Sequence, residues 1–387
     1  MGQVNIIGGA PLLHCEDVAW FRDQPEAARG AAAALGRRIG LGEQRTAELV
    51  LAVAELATNI TKHAVDGSLL LRVLRNDAVA GVEVLVVDSG PGMADVPESQ
   101  RDGTSTAGTL GIGLGAVQRL ADNFDVHSQP GLGTVQLARF WPRNLRPPMS
   151  GEPAVGGITR PISGEQVCGD AWAARIDPSS AMTAAPPPEG HTQAAAERSA
   201  ALPRPGEKRR SVPVRAAVAG PGQGVLVMSC DGLGHGPMAA LASQAAVHAF
   251  RTGTARTPEQ AMEQVHRALR GTRGAAVAVA RLEPDGRVLF CGIGNITAAL
   301  VTTTTRANLL SHPGIVGHQM HQLRTYEQHL PSHGALVMHS DGLSDRWTAA
   351  DLAGLLHHPP AVIAAGLLRQ AGTRRDDASA VIAKAAW

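Results

Sequence analysis

The chain has 387 residues, long enough at roughly 150 residues per domain for two or three units that each bury a core. Apolar residues make up 44% and charged residues 18%, with 44 Gly, 25 Pro and few aromatics, which excludes collagen-like and wholly disordered chains and predicts many turns around a small-residue core. A formal net charge of +1 provides no global field to attract nucleic acid or an anionic membrane, so neither is an expected partner.

Cys15, Cys168, Cys230 and Cys291 stand far apart without a CxxC pair and read as free thiols rather than as a disulfide framework or zinc site. Met1 to Pro11 lacks a basic start, and no run of about 18 apolar residues free of charge follows anywhere, which predicts a soluble, cytoplasmic protein.

Residues from about Ala27 to Trp141 alternate helical and strand patterns. Ala47 to Ala64 places Leu49, Val53, Leu56 and Ile60 at helical spacing, so a helix with one buried face is expected. Glu55 and Asn59 lie four apart on another face, with His63 a further turn along. A carboxylate beside an amide oxygen suits a base next to a metal ligand, although a solvated helix face has the same spacing. Gly81 to Val87 reads as a strand ending in Asp88-Ser89-Gly90-Pro91-Gly92, a carboxylate at a strand end followed by a glycine-rich turn. Gly108 to Gly115 then runs into a helix predicted over Ala116 to Asp122, where small residues leave backbone N–H groups open to phosphate. The strand-helix-strand order of a dinucleotide fold is missing. Gly131-Leu132-Gly133-Thr134 precedes a strand over Val135 to Phe140.

In this order, ELATN, DSGPG, GIGLG and GLGT resemble the GHKL (Bergerat) ATP-binding fold, most closely its anti-sigma-factor and switch-kinase branch. The resemblance implies ATP with Mg²⁺ held by Asn59, Asp88 accepting from the adenine amino group, Gly90 and Gly92 beside the base, and Gly111, Gly113 and Gly115 at the phosphates. Thr134 would sit near the adenine, and Glu55 would be the base for a protein serine attacking the γ-phosphate. The roughly 25 residues before the first helix are too few for the phosphoacceptor segment of a histidine kinase, which argues against a two-component sensor.

Pro142 to Pro161 has the composition of a linker, long enough to let two tethered halves reach one docked partner. Beyond it Gly169-Asp170, Asp231-Gly232, Asp341-Gly342 and Asp376-Asp377 each flank an apolar strand pattern, Gly224 to Ser229, Gly334 to His339 and Ala378 to Ala383 among them. One Asp-Gly is ordinarily a turn. Four acidic loops in one half suit hard divalent ions such as Mg²⁺ or Mn²⁺ better than zinc. The Ala/Pro-rich stretch 178–212 is expected to be a disordered insertion.

GD, DGLGHG, GIGN at Gly292 to Asn295, SDG and DDAS together resemble the SpoIIE-type phosphatases of the PPM class, metal-dependent serine/threonine protein phosphatases. The resemblance implies two metal ions, with Asp231 as the bridging and catalytic ligand, the Gly232 carbonyl, and Asp170, Asp341 and Asp376 as the other ligands. Asp377 is the alternative to Asp376, and His235 and Asn295 are read as structural. The expected architecture is α/β: a GHKL two-layer α/β sandwich over 1–145, a linker over 146–161, and a PPM-type β-sandwich flanked by helices over 162–387. The implied role is regulation of a bacterial sigma-factor partner-switching pathway by dephosphorylation of a phosphorylated STAS antagonist, with a sigma factor as a further partner. The alternative makes the N-terminal half a non-catalytic module that binds nucleotide and partner.

Overall fold

Two apolar faces on one sheet organise the N-terminal half. The computed structural model describes residues 14–75, 79–99, 113–143, 154–177, 224–320 and 322–384. The first half runs β1 (His14–Phe21), α1 (Ala28–Arg38), α2 (Glu43–His63), β2 (Ser68–Arg75), β3 (Ala80–Asp88), α3 (Val96–Ser99), α4 (Gly113–Leu120), β4 (Asn123–Gln129) and β5 (Gly133–Phe140). The strands form one antiparallel sheet in the order β1-β2-β3-β5-β4. Side chains alternate across a strand. Leu69, Leu71 and Val73 of β2 and Val82, Val84 and Val86 of β3 therefore pack on one face beneath α1, α2 and α4, with Leu49, Val53, Leu56 and Ile60 of α2 as expected. The helix placed over Ala116 to Asp122 instead begins at Gly113, because Leu114 and Val117 both join this core.

The second half runs β6 (Val155–Arg160), β7 (Asp170–Ile176), β8 (Val225–Gly232), α5 (Pro237–Thr252), α6 (Pro258–Leu269), β9 (Ala275–Leu282), β10 (Arg287–Ile293), β11 (Thr297–Val301), β12 (Arg306–Leu309), β13 (Ser311–His312), β14 (Tyr326–His329), β15 (Ala335–His339), α7 (Ala349–Ala353), α8 (Pro360–Ala371) and β16 (Ala378–Lys384). Two sheets, β13-β10-β9-β8-β7 with β14 beside β10, and β12-β11-β15-β16-β6, face each other. Val225 and Val227 of β8 point into the core between them, against Leu336 and Met338 of β15. Leu226, Met228 and Cys230 point outward beneath α5 and α6. A strand buried on both faces reads as a continuous apolar run, as VLVMSC does.

α8 joins the halves. Its segment from Pro360 to Leu368 is buried throughout, and a helix apolar on all sides needs cover on all sides. Val362, Ile363 and Leu367 share one core with Ala380 and Ile382 of β16 and with Leu70, Leu85, Val87, Val135 and Leu137 from the second face of the N-terminal sheet. The expected two-layer sandwich thus gains a third layer from the phosphatase-like half. The seam is also bridged by polar contacts, Trp20 Nε1 donating to the Thr159 carbonyl at 2.8 Å and Arg72 Nη1 to the Gly157 carbonyl at 2.5 Å.

Residues 155–160, expected inside the linker, are strand β6, paired along β16 from Ala378↔Arg160 to Ala383↔Val155. Their small residues resemble a linker in composition, but Gly156 and Gly157 lie directly against Pro360 and Trp172. The predicted disordered insertion 178–212 lies outside the described residues. Among the described residues no helix is long and apolar enough to cross a membrane.

Candidate active sites

In the N-terminal half, α2 carries Glu55 and Asn59 one turn apart, both half-buried. The turn after β3 supplies Asp88, which is 8% exposed. Its Oδ1 accepts from the Gly90 N–H at 2.8 Å, which fixes the carboxylate at the mouth of the turn. Burial pushes the Asp88 carboxyl upward, opposed by the Gly90 N–H, the Arg369 charge and the Thr134 N–H. Thr134 is register partner to Asp88, and its Oγ1 lies 2.9 Å from Ser128 Oγ, which in turn accepts from the Met93 N–H at 2.7 Å. Gly92 has φ +68°, and a Cβ there would lie 2.3 Å from the Gln129 carbonyl oxygen, so the close pass of these two loops excludes a side chain. Gly113 and Gly115 fall in the first turn of α4, while Gly111 lies outside the described residues. Asp88, Gly90, Gly92 and Thr134 are therefore brought together. Ser128 and Arg369 join them without having been singled out in the sequence.

In the second half, Asp170 opens β7 and faces Asp231 of β8 in register. Asp170 is 4% exposed, and neither of its carboxylate oxygens has a hydrogen-bond partner of normal geometry. The hydroxyls of Ser340 and Ser379 approach it and favour the charged form, while burial and the charges of Asp377 and Asp341 push its pKa upward. Asp231 is raised as well, by burial first and then by Asp170, Asp341 and Asp376. Such a concentration of buried negative charge is costly unless cations compensate it. Gly232 donates its N–H to the Gly169 carbonyl at 3.1 Å, which locks the ends of β7 and β8 together. Asp341 follows β15 and receives the Asn295 Nδ2–H₂ at 2.5 Å on Oδ2, so Asn295 orients a carboxylate. Asp341, Asp376, Thr373 and Arg375 line one open pocket.

The adjacent pair Asp376-Asp377 is resolved by its partners. Asp377 Oδ1 accepts from Ile162 N and Oδ2 from Gly169 N, both at 2.7 Å, so its carboxylate is spent on two backbone amides. Asp376 faces the pocket, where a ligand is needed. Among the described residues no three carboxylate, thiol or imidazole groups form a closed metal cage. The orphaned oxygens of Asp170 and the oxygen-only donor set nevertheless fit hard divalent ions that complete their shell with water. Arg375, unread in the sequence, adds a cation at the rim that suits phosphoryl oxygens. His235 lies at the surface against Glu165, Nδ1 to Oε1 at 3.3 Å.

The sequence model for the histidine kinase-like ATPase domain matches residues 22–139, and that for stage II sporulation protein E (SpoIIE) matches residues 221–386. The serine/threonine-protein kinase RsbT of Bacillus subtilis (strain 168) is 35% identical over 117 residues, which is 30% of this chain and 88% of that protein. Among solved structures, the phosphatase domain of SpoIIE from Bacillus subtilis with a fragment of its regulatory domain aligns at TM-score 0.42 and 14% identity, covering 80% of each chain. RsbX in complex with magnesium aligns at TM-score 0.43 and 15% identity, covering 60% of this chain and 94% of that one. The chain belongs to the RsbT-like family of histidine kinase-like ATPase domains through its N-terminal third, and it carries behind that a SpoIIE-type protein serine/threonine phosphatase domain of the PPM class.

Proposed function

We propose that the two halves act in opposite directions on one partner-switching circuit: the C-terminal half removes phosphate from a serine or threonine of a small STAS-type antagonist, and the N-terminal half transfers the γ-phosphate of ATP to the same or a linked protein. The observation that carries this reading is the convergence of Asp170, Asp231, Asp341 and Asp376 at the strand ends of the sandwich, with the Asp170 oxygens buried and unmet. Two divalent ions, when bound there, supply an activated water and neutralise charge on the phosphoryl group during in-line attack. Asp231 and Asp170 hold the buried side of the ion site, Asp341 and Asp376 its open side, and Asn295 fixes the angle of Asp341. Arg375 at the rim draws in the phosphate oxygens. No side-chain nucleophile is required.

In the N-terminal half Asp88 is the acceptor for the adenine amino group, Asn59 the Mg²⁺ ligand, and Glu55 the base that orients the attacking hydroxyl, as phosphoryl transfer needs chiefly positioning and charge neutralisation. RsbT, the relative that resembles this half, is a serine/threonine-protein kinase, which supports transfer rather than binding alone.

The purified chain is incubated with ATP, Mn²⁺ and a candidate antagonist, and the antagonist is weighed by mass spectrometry. Asp341→Asn lets phospho-antagonist accumulate, and Glu55→Ala prevents its formation while leaving phosphatase turnover intact. No transfer by the Asp341→Asn protein to any antagonist would move the N-terminal half to the role of a nucleotide- and partner-binding module. Undiminished, chelator-insensitive turnover in Asp231→Asn would remove the phosphatase assignment of that residue.

A further inference from the structure

Arg369 is the one charged residue of α8, and it stands in the last turn of that helix. Its Nη1 reaches across the seam and donates to the carbonyl of Leu132, in the Gly131 to Thr134 turn beside Asp88. Its Nε and Nη2 are buried and have no hydrogen-bond partner among the described residues. A guanidinium has five donors in a fixed fork, so a buried one with unmet donors calls for further acceptors. Five residues on, Arg374 pairs with Asp66. Asp66 holds a left-handed backbone, φ +56°, next to Val65, whose carbonyl accepts from the Ser89 N–H at 2.8 Å. One arginine therefore grips each flank of the Asp88 turn, and both come from the phosphatase half.

The segment between and beyond them enters the other active site. Thr373 donates N–H and Oγ1–H to the Gly342 carbonyl at 2.9 and 3.1 Å, next to Asp341. Asp376 is a pocket carboxylate, and Asp377 holds the Gly169 N–H next to Asp170. A shift of Arg369 or Arg374 therefore bears on three of the four acidic positions through the hydrogen bonds of the 373–377 segment.

We propose that Arg369 and Arg374 are positioning residues that couple the two active sites, so that nucleotide bound in the N-terminal half fixes the 372–377 loop and with it the phosphatase metal site. The inference rests on the reading of the Asp88 turn as a nucleotide site. Coupling of this kind is reciprocal for binding and typically worth roughly 5- to 150-fold in affinity.

The test uses the full chain, ADP with Mg²⁺, and two variants. Asp66→Asn breaks the Arg374 pair from the N-terminal side and keeps a residue that tolerates the left-handed backbone, and Arg369→Met removes the other grip. Calorimetry reports ADP binding, hydrogen exchange follows the 369–377 segment, and turnover of p-nitrophenyl phosphate is read at buffered, sub-saturating free Mn²⁺. In the wild type, saturating ADP slows exchange of this segment and changes turnover roughly five-fold or more. In Asp66→Asn, ADP still binds and turnover without ADP matches the wild type, but neither exchange nor turnover responds to ADP; Arg369→Met likewise loses the response. A wild type that binds ADP with no change in exchange or turnover overturns the coupling alone, as does an undiminished response in both variants. A wild type that binds no ADP overturns the nucleotide-site reading and the coupling with it.

Discussion

His127 of the N-terminal sheet and His358, just before α8, meet edge-on across the seam, Nδ1 to Nε2 at 3.1 Å, and His358 Nδ1 lies 2.7 Å from Asp125 Oδ2. His358 Nδ1–H donates to the Asp125 carboxylate, and the facing nitrogens of His127 and His358 share one hydrogen bond. Burial, then the neighbouring His358 and Arg369, push the His127 pKa down to about 4, with Asp125 opposing. In the unfolded chain this group titrates near its ordinary 6.5. Between those values the unfolded state takes up a proton that the folded state refuses, so stability falls as pH drops from 6.5 towards 4 and is unaffected above 6.5. His127→Gln is expected to flatten this part of the pH dependence. Thermal unfolding from pH 7 to 4.5 checks it, and parallel curves for the two proteins would count against the role of His127.

Glu83 is buried between Arg72 and Arg139, Oε1 at 2.6 Å from Arg72 Nε and Oε2 at 2.6 Å from Arg139 Nε. Despite complete burial, the two guanidinium groups hold its carboxyl below the usual range. Arg72 also donates to the Gly157 carbonyl, so the cluster is part of the seam. Glu83→Gln strands two buried cations and is expected to cost about 3–5 kcal/mol. Replacing all three by apolar residues of similar volume is expected to cost much less, because no charge is left unpaired. Urea unfolding of both variants compares the two, and equal losses would contradict this account.

Much of this was legible in the chain. The apolar face of α2 and the runs in β3 and β8 place the cores, and the ordered motifs place Asp88, Asp170, Asp231 and Asp341. The seam was not, because motif reading treats each half as closed. Its signals were the absence of a polar face along Pro360 to Leu368 and the apolar residues at both alternations of β2 and β3, which demand cover on the second face of the sheet. β6 was missed because close packing against α8 and Trp172 calls for the same small residues as a flexible linker. Nor does sequence rank two adjacent aspartates. Only the backbone amides of Ile162 and Gly169 separate Asp377 from Asp376.

That separation predicts opposite signatures for the two amide variants. Asp377→Asn keeps one acceptor oxygen for two N–H donors, so stability falls by about 1.5–3 kcal/mol, and the loosened support costs roughly 10- to 100-fold in metal affinity. Asp376→Asn removes a like charge from the cluster and leaves the metal-free protein as stable as before or more so, while Mn²⁺-dependent turnover is lost. Thermal unfolding without metal and Mn²⁺ titration of turnover give both readouts, and a stable, inactive Asp377→Asn beside an unstable, active Asp376→Asn would reverse the assignment.

Gly342 gives the sharpest steric expectation. A Cβ at this position would stand 1.9 Å from the Asp377 carbonyl oxygen and 2.8 Å from the Ala378 Cα, both backbone atoms that cannot rotate away. Gly342→Ala must therefore push the Asp341 loop and the start of β16 apart. The hydrophobic cores lie further along β15 and β16, so the fold is expected to survive with a reduced melting temperature. The distance between Asp341 and Asp376 changes, and a displacement of about 1 Å in a site that works by positioning costs roughly 100-fold in rate. Phosphatase turnover with saturating Mn²⁺, beside circular dichroism of the same sample, decides it: a folded protein with turnover within a few-fold of the wild type would mean that this contact does not set the geometry of the carboxylates.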